Sequence, residues 1–266
     1  MGDAPVVSRA APHYWEEPCI SGERGSGAVF FAGCSLRCVY CQNYEISALR
    51  RGTEIDIPRL REIFAELAAQ GVHNLNLVTG THFAAAIREA LEPQPPLPVL
   101  WNCGGYESVE TLRTLEGKVQ VWLPDMKYSD ARLAGRLSAA PDYPRVAQAA
   151  IREMFRQTGP YTLDGDGMLI RGVMIRHLVL PGELDNTFGV LDWIGETFRP
   201  GDVLVSLMGQ YTPNGYGGPA RRLTEEEYRR AADYMAALGL LEGYTQELSS
   251  AEAVYTPPFD GTGVAK

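Results

Sequence analysis

The chain has 266 residues, of which 45% are hydrophobic and 21% charged, the proportions of a globular protein with an ordinary core to bury. Those figures exclude disordered, collagen-like and disulfide-stapled miniprotein classes. With 24 Lys and Arg against 33 Asp and Glu, the net charge of −9 speaks against a broad surface for nucleic acid or anionic lipid, since both need a basic face. No apolar run approaches the roughly 20 residues of a membrane span. The polar, proline-broken start also lacks the apolar core of a signal peptide. The expectation is a cytoplasmic protein with neither nucleic acid nor membrane as partner.

In chain order, residues 1–24 read as a short N-terminal extension and 25–266 as one domain. Short apolar runs alternate with longer helical patterns through that domain. The predicted strands are Gly27–Ala32, Leu75–Thr79, Val99–Asn102, Val119–Leu123, Val173–Leu180 and Val203–Met208. Their near-continuous apolar character fits strands covered on both faces. The predicted helices are Ile57–Gln70, His82–Leu91, Glu107–Thr114, Asp130–Leu137, Tyr143–Gln157, Thr187–Phe198 and Thr224–Leu238. Pro58 suits the first turn of its helix, and Thr224 followed by Glu225, Glu226 and Glu227 reads as a capping box. Such alternation implies βαβ units and a parallel sheet, either doubly wound or a partial barrel. In both, ligands belong at the C-terminal strand ends. Polar and Gly-rich loops gather there: Gly33-Cys34, Thr79-Gly80-Thr81-His82, Asn102 to Tyr106, Pro124 to Tyr128, Pro181-Gly182-Glu183 and Gly209-Gln210-Tyr211.

Of five cysteines, Cys34, Cys38 and Cys41 crowd into eight residues, while Cys19 and Cys103 stand apart. An odd count in a long chain without a secretion signal argues against a disulfide framework. Three readings of the cluster are open. Spacings of four and three could stack small apolar side chains on one helix face, but Arg37, Gln42 and Asn43 interrupt such a stripe. A zinc site needs three or four ligands, and no fourth is singled out among His73, His82, Cys19 and Cys103. An iron–sulfur cubane offers four irons, so three thiolates on one loop would leave the fourth open to a substrate or cofactor.

The run Phe31-Ala32-Gly33-Cys34-Ser35-Leu36-Arg37-Cys38-Val39-Tyr40-Cys41-Gln42-Asn43 resembles the radical S-adenosylmethionine superfamily. It matches the C-x3-C-x-aromatic-C loop that follows the first strand of a partial (β/α)6 barrel. GCSLRCVYCQN is similar to the glycyl-radical-enzyme activating branch. HYWEEPCISGERGSGAVFFAGC, LVTGTHF, NCGGYES, LPDMKYSD and IRHLVLPG resemble proteins described as pyruvate formate-lyase activating enzyme-like, so the likeness extends over most of the chain.

The resemblance implies an α/β partial (β/α)6 barrel carrying a [4Fe-4S] cluster on Cys34, Cys38 and Cys41, with S-adenosyl-L-methionine as cosubstrate. It implies reductive cleavage to a 5′-deoxyadenosyl radical that abstracts hydrogen. A flavodoxin or ferredoxin would donate the electron, and the substrate would be a glycyl radical enzyme. Tyr40 is expected beside the adenine. Thr79-Gly80-Thr81 falls where the superfamily has Gly-Gly-Glu; the carboxylate is missing, leaving Thr79 and Thr81 hydroxyls or carbonyls to meet the methionine amino group. Asp125 and Lys127 match an Asp-x-Lys pair that meets the cofactor, the Asp with a monovalent cation nearby. Arg176 aligns with a carboxylate-binding Arg on the fifth strand, Asn102 closes the third, and Gln210 and Tyr211 are candidates for the substrate. Physically, Asp125 and Lys127, two apart at a strand end, point the same way. Arg176 in an apolar strand needs a charged partner, and alternation turns it inward and His177 outward. The same chemistry on a small molecule or peptide is one alternative, and a non-catalytic zinc or iron–sulfur protein another.

Overall fold

The computed structural model describes residues 4–246, Leu248 and 257–265. The chain begins with β1 (Val6–His13), a short helix α1 (Pro18–Ser21), β2 (Ser26–Phe31), α2 (Tyr44–Ser47), β3 (Thr53–Glu54) and α3 (Ile57–Ala69). It continues through β4 (Leu75–Val78), a 3₁₀ turn (Thr81–Phe83), α4 (Ala84–Ala90), β5 (Val99–Cys103), α5 (Val109–Thr114) and β6 (Val121–Pro124). Next come α6 (Ala131–Ser138), α7 (Tyr143–Thr158), β7 (Thr162–Leu163), β8 (Leu169–Leu178), α8 (Leu184–Thr197), β9 (Leu204–Met208), α9 (Glu225–Ala237) and β10 (Gly243–Thr245).

The strands form one sheet in the order β10-β9-β8-β6-β5-β4-β2-β1-β3, with β7 paired to β8. From β2 to β10 every neighbour on this path is parallel. Because β2, β4, β5, β6, β8 and β9 follow chain order without a reversal, the sheet is not doubly wound. It is an α/β sheet wound in one direction and left open, as a partial (β/α)6 barrel requires. The stretch read as an extension supplies β1, antiparallel to β2, and α1. Its hydrophobic content is modest, so alternation alone does not reveal the strand. The predicted helix at His82 opens instead as a 3₁₀ turn, and β8 starts four residues early because β7 pairs with Leu169–Arg171. The capping box forms as expected: the Thr224 side chain accepts from the Glu227 N–H, and the Glu227 carboxylate accepts from the Thr224 N–H.

Period-two alternation divides the strand side chains into layers. Trp101, Trp122, Val173, Ile175 and Val205 turn outward into the main core with the helices. Leu100, Leu123, Met174 and Leu204 turn inward and pack around Cys19 and Ile20 of α1, which plug the sheet's concave side. Two residues further along the same strands stand Asn102, Asp125, Arg176 and Ser206. The site is built on this polar layer.

Candidate active site

The loop after β2 is tied down before any side chain matters. The N–H groups of Arg37 and Val39 donate to the carbonyls of Ser138 and Leu137 at the C-terminal end of α6. Those carbonyls have no partner inside the helix, so the loop satisfies them and is held in turn. Cys34, Cys38 and Cys41 all line a cavity of about 260 Å³ at the C-terminal strand ends. The other β–α junctions meet them there through Thr79, Asn102, Cys103, Asp125, Lys127, Arg176 and Gln210. The Pro181–Glu183 loop does not reach it; β8 contributes through Arg176 and Leu178 instead.

Each half of the Asp125–Lys127 pair depends on its neighbours. Lys127 Nζ lies 2.5 Å from Asp125 Oδ2. Arg176 Nη2 lies 3.0 Å from Asp125 Oδ1, near enough to pair charges but out of line for a hydrogen bond. It donates instead to Asn102 Oδ1 at 2.6 Å. Burial pushes the Asp125 carboxyl up, yet Lys127 and Arg176 outweigh it and hold the group below the usual carboxylate range. Burial likewise works against the Lys127 ammonium, and Asp125 more than offsets it. The turn carrying this pair is pinned by the buried Tyr143, whose hydroxyl accepts from the Lys127 N–H and faces the carbonyls of Asp125 and Gly104. At Gly105, with φ +77°, a Cβ would lie 2.1 Å from the Asp125 carbonyl oxygen. Only glycine permits that approach.

Sequence reasoning missed Glu16. It assigned Arg176 a carboxylate from a bound ligand, whereas the chain supplies two of its own, Asp125 and Glu16. Glu16 Oε2 accepts from Arg176 Nη1 at 3.3 Å, and Oε1 accepts from the Asn76 and Asn102 side-chain amides at 3.1 Å. The one available signal was the acidic pair Glu16-Glu17 beside a proline, with no motif attached. His177 points the other way. Its Nδ1 bonds the Met126 carbonyl at 2.7 Å and its Nε2 meets the Thr187 hydroxyl of α8 at 2.9 Å, and burial lowers its pKa to about 4.

The remaining expected residues divide. Thr79 lines the cavity with φ +61°, a left-handed conformation that costs a β-branched residue of order 1–3 kcal/mol. Thr81 is not among the residues lining it. Its hydroxyl donates to Glu107 Oε1 at 2.6 Å, because the 3₁₀ turn carries the side chain toward α5. Glu107 is buried, and burial pushes its carboxyl up to about 7. Tyr40 lines the cavity, but its hydroxyl bonds Tyr128 at 2.8 Å. Tyr211 is buried beneath Tyr40 with its hydroxyl donated to the Pro219 carbonyl, so of the two substrate candidates only Gln210 opens on the cavity.

The donor set suits a cubane better than a single ion. Among the described residues, no three His, Cys, Asp or Glu side chains converge to hold one metal ion. Zinc requires such convergence at about 2.0–2.3 Å, whereas a cubane takes one thiolate at each of three separate irons. Burial pushes the Cys34 thiol up to about 12 and the Cys38 thiol up as well, so their thiolates need a metal's positive charge. Each sulfur also has a donor: the Leu36 N–H for Cys34, Ser138 Oγ for Cys38 at 2.9 Å and Ser47 Oγ for Cys41 at 3.3 Å. Arg176 Nε is buried without a partner beside the cavity, a vacant donor suited to a carboxylate.

Residues 28–116, which carry the cysteine loop and the first strands of the barrel, match the radical SAM superfamily. The family match rests on that segment, about a third of the chain. It is 30% identical over 239 residues to an uncharacterised protein of Methanocaldococcus jannaschii, an alignment covering 84% of this chain and 64% of that protein. Its fold is similar to that of Streptococcus suis SuiB, at 13% identity and a TM-score of 0.54, over 83% of this chain and 49% of SuiB. It is also similar to the FeFe-hydrogenase maturase HydG of Carboxydothermus hydrogenoformans, at 12% identity and a TM-score of 0.56, over 84% and 54% of the respective chains. The chain thus spans less than two thirds of the length of each. Among the described residues, no helix is long and apolar enough to cross a membrane.

Proposed function

We propose that this radical SAM protein holds a [4Fe-4S] cluster on Cys34, Cys38 and Cys41 and uses it to cleave S-adenosylmethionine reductively. When bound, the cluster and S-adenosylmethionine together supply a 5′-deoxyadenosyl radical for hydrogen abstraction. The observation that carries the reading is the single cavity in which three thiols on one loop face Asp125, Lys127, Arg176 and Asn102 from three successive strand ends. Lys127 and Arg176 offer positive charge to a carboxylate, and Asp125 offers a carboxylate to an ammonium, so the group suits the zwitterionic end of an amino acid. Thr79 adds a hydroxyl and a strained backbone at the same rim. Tyr40 closes the wall with its ring. Thr81, held by Glu107, has no direct part.

The narrower proposal is a glycyl-radical-enzyme activating type, with a protein substrate and a flavodoxin or ferredoxin as electron donor. It is supported by the likeness of GCSLRCVYCQN and its companion runs to that branch. A monovalent cation beside Asp125 belongs to the same proposal, although both carboxylate oxygens already face the chain's own cations. The test is iron content after anaerobic reconstitution. The protein should bind close to four irons per chain, as the cubane stoichiometry requires. Alanine at Cys34, Cys38 or Cys41 should abolish the cluster, and alanine at Cys19 or Cys103, both packed in apolar clusters, should leave it. A single variant of the first three that kept its iron and activity would refute the assignment.

A further inference from the structure

We propose that Tyr128 and Ser138 are positioning residues of a buried hydroxyl string that ends on the Cys38 sulfur and sets the reduction potential of the cluster held there. The inference rests on the proposed function and adds to it how this chain tunes the metal. Tyr40 and Tyr128 hydroxyls lie 2.8 Å apart, Tyr128 and Ser138 hydroxyls 2.6 Å, and Ser138 Oγ lies 2.9 Å from Cys38 Sγ. Tyr128 and Ser138 are buried, at 0% and 2% exposure, so water does not compete for these bonds.

The proton count gives the string its direction. A metal-bound thiolate can only accept, so Ser138 must spend its one proton on Cys38. Ser138 then accepts from Tyr128, and Tyr128 from Tyr40, so all three O–H bonds point toward the sulfur. Aligned donors polarise one another in a dry interior, which strengthens the last bond of the series. The geometry is held from outside the string as well. The Arg37 and Val39 N–H groups fasten the cysteine loop to the carbonyls of Ser138 and Leu137, so Ser138 cannot drift from Cys38 without breaking backbone bonds. Among the described residues, the donors to the other two cluster cysteines form no such string: a backbone N–H meets Cys34, and Ser47 Oγ meets Cys41 at the longer distance of 3.3 Å.

A hydrogen bond to a cluster sulfur stabilises the reduced state, which carries one more negative charge, and so raises the potential. The string therefore makes this cluster easier to reduce by a given electron donor. The test is a dithionite titration of the anaerobically reconstituted protein, followed by the electron paramagnetic resonance signal of the reduced cluster. Ser138→Ala should keep its iron and shift the midpoint to a more negative value. Ser138→Thr, which retains the hydroxyl, should stay near wild type. Tyr128→Phe should shift in the same direction by less, and should add nothing in the Ser138→Ala background, because the string would already be cut at its end. Should Ser138→Ala lose its cluster, Tyr128→Phe decides alone. Wild-type midpoints in both variants with full iron, or a Ser138→Thr shift as large as that of Ala, would overturn the inference and leave the proposed function standing. A wild-type protein that takes up no cluster would overturn both.

Discussion

Glu16 shows how much of this site hangs on one side chain that carries no motif. Its two oxygens collect three donors, from Asn76, Asn102 and Arg176, within the polar layer beneath the cavity. With Glu16 and Arg176 side chains 13% and 12% exposed, the interaction is poorly screened by solvent. Glu16→Ala should therefore cost about 2–4 kcal/mol in chemical denaturation, most of it from leaving buried donors unpaired. Glu23→Ala, at an exposed position in the same segment, should cost nothing measurable. Equal midpoints for the two variants would show that Glu16 is not a structural member of the site. That Cys34, Cys38, Cys41, Asp125, Lys127 and Arg176 would meet at one cavity was legible in the sequence, because their spacing or their charge in an apolar run is itself unusual. Glu16, Ser138 and Tyr128 were not, since each is ordinary in its local context and acquires its role only when distant segments are brought together.

At the scale of elements, β8 divides the chemistry from the scaffold by alternation alone. Arg176 turns to the polar layer, and His177, its immediate neighbour, locks β8 to the β6 end through Met126 and to α8 through Thr187. Burial lowers the His177 pKa from 6.5 to about 4. Between those values the unfolded chain binds a proton that the folded chain refuses. The stabilisation is thus complete above pH 6.5 and falls as pH drops toward 4, by about 1.4 kcal/mol per unit. Glu107, raised to about 7, acts with the opposite sign between pH 4.5 and 7. Comparing wild type with His177→Gln isolates the histidine: the wild type's advantage should shrink steadily from pH 6.5 to 4. A difference independent of pH would mean that His177 is charged or solvated in the fold. The strands on both sides of it were readable from their apolar runs, whereas β1, β7 and β10 were not. β7 and β10 are two and three residues long and depend on their sheet partners, and β1 reads as a mixed polar stretch until β2 is placed beside it.

Over the whole molecule, one architecture serves two needs. The outward faces of the parallel strands bury the core against helices, and the inward faces form an apolar floor under α1, then the polar layer, then the cavity with its three thiols. Chain-order strands bring one loop after another to the same rim, which is why residues from Cys34 to Gln210 meet in one place. The central claim is that this rim carries out reductive cleavage of S-adenosylmethionine. The direct measurement is 5′-deoxyadenosine formed by the anaerobically reconstituted, dithionite-reduced protein given S-adenosylmethionine. The product should accumulate with wild type and be absent with Cys38→Ala. A fully iron-loaded wild type that forms none, or a Cys38→Ala variant that forms as much, would contradict the account.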